Sequence, residues 1–311
     1  MKIVFMDRKS IGQDLDLSEF YELGDVVMYD HTPDEDVPER VKDADVIIIN
    51  KTPINKETIG GAEKLRLVCI TATGTNNLDK EYLAERGIAW RNVANYSTEN
   101  VAQHTFAILF YLWEHLRYYD DYVKDGRYAE DTQFTHFGKV FRELSGKTWG
   151  IIGLGNIGRR VAGIASAFGC RVQYYSTTGR NHTEDYKEVS FDELLETSDI
   201  ISIHAPLNAS TEGLINKEAL RKMKREAVLL NLGRGPIVVE KDLREALDEG
   251  LISAAGLDVL SEEPMSRKSP FLGFMDSDRL LITPHIAWAS LEARTRLMHM
   301  VADNIRKFIS E

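Results

Sequence analysis

The stretch TWGIIGLGNIGRRVAGIASAFG, residues 148–169, decides the fold of this 311-residue chain. An apolar run leads into the pattern G-x-G-x-x-G at 153–158, and a helical pattern rich in small residues follows. Gly153 suits a tight turn, Gly155 lets a ligand approach the backbone, and Gly158 lets the helix pack closely on the strand. The stretch therefore predicts a strand–turn–helix unit that binds a dinucleotide pyrophosphate at the helix N-terminus.

Short β-branched runs alternate with helical patterns along most of the chain, which predicts an α/β fold with parallel sheets. The runs form two sets, and the likeness of DADVIII (43–49) to TSDIISI (197–203) indicates that both are doubly wound. We expect a discontinuous flavodoxin-like, substrate-binding domain at 1–99 and 286–311, and a Rossmann-type cofactor domain at 100–285. The predicted strands are 2–7, 26–30, 45–50, 65–70, 88–92, 148–153, 170–176, 199–205, 227–233, 252–259 and 280–285.

Two helices stand out in the pattern. One is expected from Ser97 to about Lys124, with apolar residues around much of its surface, and the other at roughly 290–309. A helix that is apolar on all sides is buried. The first is therefore expected between two domains or two subunits.

The composition is that of an ordinary globular protein, with 43% hydrophobic and 28% charged residues. The net charge of −11 excludes sequence-independent binding to nucleic acid or to an anionic membrane, so an anionic substrate needs locally placed cations. Cys69 and Cys170 lie in apolar runs, where buried free thiols are expected rather than a disulfide or a metal site. No apolar run reaches the ~18 residues of a membrane span, and the N-terminus lacks the apolar stretch of a signal peptide. We expect a cytoplasmic protein.

The loop after the second strand of the cofactor domain bears on the choice of dinucleotide. An acid commonly follows the glycine pattern by ~20 residues and holds the ribose. Here Ser176 stands 18 residues after Gly158, with Thr177, Thr178 and Arg180 behind it. An acid would repel a 2′-phosphate, whereas Arg180 can bind one. The loop favours NADP(H); the alternative is a plain polar turn, with NAD bound through other contacts.

Three charged or titratable residues follow predicted strands of the cofactor domain: Arg234 in NLGRGP, Glu263 in DVLSEEP and His285 in ITPHIAWAS. Strand carboxyl ends form the ligand-binding edge of open α/β sheets. Taken singly, each has an ordinary alternative as a surface, acidic-loop or hydrogen-bonded loop residue. On a nicotinamide-binding fold, however, they match the needs of ketoacid reduction. Arg234 can hold the carboxylate and polarise the ketone, His285 can donate a proton, and Glu263 can keep the imidazole charged and oriented.

The chain resembles the D-isomer-specific 2-hydroxyacid dehydrogenase family over nearly all of its length. The segments that carry the resemblance are ATGTNNLD (72–79), NVANYSTENVAQHT (92–105), GIIGLGNIGRRVA (150–162), HAPLNASTEGLI (204–215), LLNLGRGPIV (229–238), GLDVLSEEP (256–264) and TPHIAWAS (283–290). The resemblance implies hydride transfer between a nicotinamide cofactor and a small 2-ketoacid. It also implies a homodimer, with an interface supplied by the helix that begins near Ser97.

The same resemblance assigns residues to the site. It implies Arg234, Glu263 and His285 as the catalytic residues, and backbone groups of Thr73 and Gly74 as the holders of the substrate carboxylate. Asp258 is expected to take the nicotinamide amide. The expected cofactor-binding residues are Thr105, Gly153, Leu154, Gly155, Asn156, Ile157, Gly158, Ser176, Thr177, Thr178, Arg180, His204, Ala205, Pro206, Thr211, Asn231, Leu232, Gly233 and Asp258.

Two departures from the family pattern matter. Ala94 and Asn95 replace the Pro-Gly of the usual NVPGYS, so hinge geometry can differ, and Ser176 stands where an acid is usual. TGTNN and HIAWAS look most like the glycerate dehydrogenase, or hydroxypyruvate reductase, branch, which implies reduction of hydroxypyruvate or glyoxylate to D-glycerate or glycolate. Two alternatives stay open: a dehydrogenase for pyruvate or larger 2-ketoacids, and a non-enzymatic nicotinamide-sensing regulator on the same fold.

Overall fold

The computed structural model describes residues 1–274, 276 and 278–311. The chain divides into two compact units, an outer unit of Met1–Ser97 with Trp288–Glu311 and a cofactor unit of Thr98–Ala287. The domain boundaries expected from the sequence, after residue 99 and after residue 285, lie two residues from these.

The outer unit, all of whose residues are described, contains a five-stranded parallel sheet in the order β2-β1-β3-β4-β5. The strands are β1 Lys2–Phe5, β2 Asp25–Met28, β3 Val46–Ile49, β4 Leu67–Ile70 and β5 Ala89–Arg91. The helices are α1 Ser18–Tyr21, α2 Val37–Val41, α3 Lys56–Ile59, α4 Lys80–Glu85 and α11 Leu291–Ser310, with 3-10 turns at Arg8–Ile11 and Asp34–Asp36. This strand order is that of flavodoxin-like doubly wound sheets.

Burial on both faces explains the sequences of the central strands of this sheet. Every residue of β3 (VIII) and β4 (LVCI) is buried, so the strands read as continuous apolar runs without alternation. Polar residues mark the helix starts. Asn55 accepts hydrogen bonds from the backbone N–H groups of Glu57 and Thr58 at the start of α3, and Ser290 accepts one from Ala293 at the start of α11.

The turn at 94–95 shows how the chain accommodates the loss of the family's Pro-Gly pair. Asn95 has φ +66°, in the left-handed region that favours glycine. Asn tolerates this conformation better than most side chains because its short polar group can hydrogen-bond locally. The replacement is therefore compatible with a left-handed turn at this position.

The cofactor unit contains, among its described residues, a seven-stranded parallel sheet in the order β12-β11-β10-β9-β6-β7-β8. The strands are β6 Thr148–Ile152, β7 Arg171–Tyr175, β8 Lys187–Glu188, β9 Ile200–Ile203, β10 Val228–Asn231, β11 Ala254–Leu257 and β12 Leu280–Ile282. The helices are α5 Thr98–Trp113, α6 Leu116–Lys124, α7 Asn156–Ala167, α8 Phe191–Thr197, α9 Lys217–Lys222 and α10 Glu240–Glu249, with 3-10 turns at Arg127–Glu130 and Gly235–Ile237.

From β8 to β11 this is the Rossmann strand order, and β12 extends it by one strand. Successive strands are added on one side of β6 up to β8 and on its other side from β9 onward. The predicted α/β fold with two doubly wound parallel sheets is thereby confirmed. The sequence did not predict strand β8. It has only two residues, both charged and exposed, so no apolar run announces it.

The helix expected at 97–124 is wrong as a single element. Two helices replace it, α5 and α6, and His115 between them is left-handed with φ +52°. No Pro or Gly marks the break in the sequence. Buried residues of α5 carry the apolar pattern, whereas α6 buries none of its residues within the chain. In the described part of the chain, no helix is both long enough and apolar enough to cross a bilayer.

Candidate active site

The glycine loop has the geometry that its sequence predicts. Gly153, just past β6, has φ +92°, and a Cβ there would lie 2.9 Å from the backbone of Ala205. A Cβ on Gly158 would lie 2.3 Å from the carbonyl oxygen of Gly153, so any side chain would push α7 off the strand. At Gly155 a Cβ would meet nothing within 4 Å. Open space thus faces the N-terminus of α7, where free N–H groups attract an anion.

The remaining residues of the loop continue this arrangement. Leu154 is buried, whereas Asn156 and Ile157 begin α7 at the open end. A dinucleotide pyrophosphate fits this loop, since no atom lies within 4 Å of the position that a Cβ of Gly155 would take.

Two buried polar atoms at the same sheet edge have no hydrogen-bond partner among the described residues, Ser176 Oγ after β7 and His204 Nδ1 after β9. The other ring nitrogen of His204, Nε2, lies 3.1 Å from Ser202 Oγ. Burial lowers the pKa of His204 to about 3, so the ring is neutral at ordinary pH. Unpaired buried polar atoms are costly unless a ligand or water meets them. Their position fits the expected cofactor site.

The loop that begins at Ser176 carries the other residues expected to contact the ribose. Thr177 is partly buried, and Thr178 and Arg180 are exposed. None of the residues 176–180 is acidic. In the described part of the chain, the Arg180 guanidinium forms no hydrogen bond or ion pair.

The remaining expected cofactor residues lie on α5 or at the ends of β9 and β10. Thr105 is fully buried on α5, and its hydroxyl donates to the Val101 carbonyl at 2.8 Å. Thr211 is also buried and donates to the Pro206 carbonyl at 2.7 Å, which closes the loop after β9. The residues at the strand ends are Ala205 and Pro206 after β9 and Asn231, Leu232 and Gly233 after β10.

Asn231 organises the turn that presents Arg234. Its side-chain oxygen accepts from the Gly233 N–H at 3.1 Å, and its amide donates to the Arg234 carbonyl at 3.0 Å. Arg234 is partly buried, and its Nη1 donates to the Gly233 carbonyl at 2.8 Å. At Gly235 a Cβ would lie 1.9 Å from the backbone of Leu260, so the loops after β10 and β11 touch there.

His285 and Glu263 form the pair that the sequence predicted. His285 Nδ1 lies 2.7 Å from Glu263 Oε2, and the two side chains are 30% and 31% exposed. The second oxygen of Glu263 accepts from the Leu260 N–H at 3.0 Å, which fixes the carboxylate. Because Nδ1 faces the carboxylate, Nε2 is the ring nitrogen that can give a proton to a substrate.

Asp258 holds the His285 loop in place. Its side chain is 1% exposed and accepts hydrogen bonds from the Thr283 hydroxyl at 2.6 Å and from the N–H groups of Ile286 and Ala287, both at 2.9 Å. Burial alone would raise the pKa of Asp258, but the nearby His104 ring and then the hydrogen bonds from Thr283 and the two N–H groups outweigh it and lower the pKa. Sequence reasoning missed Thr283, although it lies inside the segment TPHIAWAS.

The sheet brings the three expected catalytic residues to one edge. Arg234, Glu263 and His285 follow β10, β11 and β12, which are neighbouring parallel strands. Thr73 and Gly74 follow β4 in the outer unit, where the Thr73 hydroxyl donates to the Val93 carbonyl at 2.9 Å. Their expected contact with the substrate carboxylate stays a prediction.

Comparisons with known proteins show the family of the chain. The family model described as D-isomer specific 2-hydroxyacid dehydrogenase, NAD binding domain, matches residues 106–287. Hydroxypyruvate reductase from Blautia hydrogenotrophica is 38% identical over 99% of this chain and 97% of its own. The chain belongs to the D-isomer-specific 2-hydroxyacid dehydrogenase family. It is a nicotinamide-dependent oxidoreductase of that family, as its sequence predicted.

Solved structures of other proteins share the fold of this family member over nearly the whole chain. An acyclic imino acid reductase in complex with NADPH and D-Arg superposes with a TM-score of 0.87 at 30% identity, covering 100% of this chain and 97% of that one. The D-lactate dehydrogenase of Aquifex aeolicus, complexed with NAD and lactic acid, superposes with a TM-score of 0.83 at 28% identity, covering 99% and 96%. Since one neighbour holds NADPH and the other NAD, the neighbours support a nicotinamide cofactor without deciding between the two.

Proposed function

We propose that the protein reduces hydroxypyruvate, with glyoxylate as its second substrate, and that it prefers NADPH to NADH. The observation that carries the reaction is the 2.7 Å contact between His285 and Glu263, on the sheet edge that also carries Arg234 and the glycine loop. The similarity to a hydroxypyruvate reductase across almost the whole chain supports the substrate.

Each of the three side chains has a distinct task in this proposal. The glycine loop would hold the pyrophosphate of a nicotinamide cofactor, which when bound would supply the hydride for the ketone carbon. Arg234 holds the substrate carboxylate and polarises the ketone, because a guanidinium presents five N–H donors and only one of them is engaged among the described residues. His285 gives its Nε2 proton to the ketone oxygen, which becomes the hydroxyl of the product. Glu263 stabilises the imidazolium before that transfer and keeps the ring oriented.

The preference for NADPH rests on the loop after β7. The N-terminus of α7 and the open space at Gly155 would hold the pyrophosphate. The unpartnered hydroxyl of Ser176 and the exposed guanidinium of Arg180 would meet the 2′-phosphate. An acidic residue at 176, which would repel that phosphate, is missing from this chain.

The substrate proposal is tested with purified protein and a panel of hydroxypyruvate, glyoxylate, pyruvate and a larger 2-ketoacid, each with NADPH and NADH. We expect the highest kcat/KM for hydroxypyruvate with NADPH. A higher value for pyruvate or a larger ketoacid would contradict the substrate choice. Tight binding of NADPH without turnover of any ketoacid would favour the regulator instead of the enzyme.

The cofactor proposal is tested by Arg180→Ala. A charge-assisted contact contributes roughly 1.5–3 kcal/mol, so kcat/KM for NADPH should fall about tenfold or more while NADH is little affected. Arg171→Ala is the matched control, since Arg171 is an exposed arginine at the opposite end of β7. Equal effects of Arg180→Ala on both cofactors would show that the loop is only a polar turn.

We also propose a homodimer built on α6 and the segment after it. Apolar side chains lie exposed there, Phe134 by 86%, Phe137 by 90% and Val140 by 80%. Several large apolar side chains exposed within seven residues are typical of an interaction site. Sedimentation velocity should show a dimer in the wild type and a monomer for Phe134→Ser with Phe137→Ser, whereas a monomeric wild type would refute the proposal. The cytoplasmic location stays a prediction.

A further inference from the structure

A histidine in the loop after β7 faces two acceptors at once. His182 Nδ1 lies 2.7 Å from Glu188 Oε2, and His182 Nε2 lies 2.7 Å from the Gly179 carbonyl oxygen. A carboxylate and a carbonyl can only accept, and a neutral imidazole has only one N–H. Both contacts are therefore satisfied together only when the ring is an imidazolium.

The bond from His182 to Gly179 closes a turn around Arg180. Gly179 has φ +62°, a conformation that glycine adopts without strain, and the ring reaches back across the turn to its carbonyl. The turn is also fixed to α7, because Arg159 Nη2 donates to the His182 carbonyl at 3.0 Å. The position of Arg180 thus depends on bonds that His182 makes on both sides.

The carboxylate that holds the ring is itself held by the sheet. Glu188 lies in β8 and accepts from the hydroxyl of Tyr174, a fully buried residue of β7, at 3.1 Å. The same hydroxyl accepts from the Thr183 N–H at 3.2 Å, directly after His182. The short strand β8 therefore positions Glu188 within hydrogen-bond distance of the His182 imidazole.

We propose that His182 is a positioning residue for NADP(H) specificity: its imidazolium locks the 176–182 loop so that Arg180 meets the 2′-phosphate, and deprotonation releases the loop. The inference rests on the proposed preference for NADPH and deepens it. It makes the cofactor preference of the protein depend on pH, through a residue that touches neither substrate nor the reacting atoms.

The direction of the pH dependence follows from the neighbours of the ring. The hydrogen bond to Glu188 is the main cause, and the Gly179 carbonyl the second, of the raised pKa of His182. The other polar groups packed around the pair are the Tyr174 phenol from β7 and the Arg159 guanidinium from α7. A raised pKa means that both bonds are present at lower pH and that one is lost as the pH rises through that pKa. The preference for NADPH should therefore weaken toward alkaline pH.

The experiment measures dissociation constants of NADPH and NADH by the change in their fluorescence, from about pH 7 to pH 9.5. A phosphate monoester loses its second proton near pH 6, so in this range its own titration contributes little. We expect the NADPH preference of the wild type to fall about fivefold, which corresponds to one net hydrogen bond. His182→Gln should show the lower preference at every pH, and Glu188→Gln should move the fall to lower pH.

The control is His299→Gln in the outer unit. His299 is likewise an exposed histidine near a carboxylate, with Nδ1 3.2 Å from Glu19 Oε2, and its loss should leave the pH dependence of the wild type unchanged. NMR of the His182 ring in the free protein follows its titration directly, so the protonation of the wild-type ring is known even if a variant folds poorly.

The outcomes separate this inference from the proposed function. A pH-independent NADPH preference that Arg180→Ala still abolishes would overturn the role of His182 and leave the cofactor proposal standing. A preference for NADH that ignores Arg180→Ala would overturn both. An equal fall with pH in the wild type and in His182→Gln would assign the titration to another group and overturn the inference.

Discussion

Replacement of Asp258 by Asn probes how the proposed proton donor is held. His285 has φ +54°, a left-handed conformation that costs about 1–3 kcal/mol for a residue other than glycine. Its N–H donates to the carbonyls of Asp258 and Thr283, both at 2.9 Å. The Asp258 carboxylate then takes the next two N–H groups, of Ile286 and Ala287. Hydrogen bonds that the N–H groups of residues 285–287 donate to the buried Asp258 thus offset the strain at His285.

The magnitude follows from what an amide can accept. In Asp258→Asn the remaining oxygen can serve the Thr283 hydroxyl and the Ile286 N–H, but the new NH₂ group faces the Ala287 N–H, so a donor opposes a donor. One charge-assisted bond, worth about 1.5–3 kcal/mol, is lost. The equilibrium constant for the ordered form of the loop should fall about tenfold to a hundredfold. We expect kcat to fall by up to that factor and the free energy of unfolding to fall by about 2 kcal/mol.

Steady-state kinetics of ketoacid reduction and urea unfolding are the assays. Thr283→Val removes the hydroxyl that donates at 2.6 Å and keeps the shape of the side chain, so it should have a smaller effect in the same direction. Asp199→Asn is the control, because Asp199 accepts from the Thr148 N–H at 2.8 Å at the amino-terminal edge of the same sheet. It should lose stability and keep kcat.

Three results would refute this reasoning. If Asp258→Asn loses stability but keeps the wild-type kcat, the loop does not need the network to present His285. If kcat is kept and only the cofactor dissociation constant rises, Asp258 acts through the expected contact with the nicotinamide amide rather than through the loop. A loss of kcat with Asp199→Asn as large as with Asp258→Asn would mean that general destabilisation explains both.

Four further predictions concern single side chains. His285→Ala should leave cofactor binding intact and slow turnover by about 10²–10⁴-fold, the range of a general acid, and Glu263→Gln should be milder; fluorescence titration and kcat separate the two effects. Arg234→Ala should raise the ketoacid KM and lower kcat together, and wild-type kinetics would remove Arg234 from the site. Between its ordinary pKa near 6.5 and its folded pKa of about 3, His204 binds a proton only in the unfolded chain. The free energy of unfolding should therefore fall by about 2 kcal/mol from about pH 7.5 to pH 5, and His204→Gln should lose less in urea melts.

Local patterns in the sequence were enough to predict the glycine loop and every described strand except β8. The central strands are buried on both faces, so runs such as VIII in β3 and LVCI in β4 show an uninterrupted apolar signal. The contact of Glu263 with His285 could be expected too, since both follow neighbouring strands and the chemistry asks for a carboxylate beside the imidazole. The strands and the glycine loop depend on residues that are neighbours in the sequence. The contact of Glu263 with His285 follows because the carboxyl ends of parallel strands lie at the same edge of the sheet.

Features that depend on contacts between distant residues were beyond the sequence. The break at His115 has no Pro or Gly to announce it, and a left-handed histidine is a rare choice that local propensity does not predict. The contact of Glu188 with His182 needs β8, two charged residues that pair with β7 only because the sheet extends there. The commitment of Asp258 to the backbone at 286–287 likewise becomes visible only when β11 and β12 lie side by side.

The order of the strands also separates the proposed cofactor-selecting loop from the proposed proton donor. The loop with Arg180 follows β7 and His285 follows β12, and five strand spacings of about 4.8 Å, or roughly 24 Å, lie between those strands in the sheet. Side chains so far apart without shared partners affect free energies independently. In the proposals made above, the choice of dinucleotide and the transfer of the proton therefore depend on different strands of one edge. Ser176 in place of the usual acid, and His182 beside it, would then change the cofactor without changing the proposed catalytic residues after β10, β11 and β12.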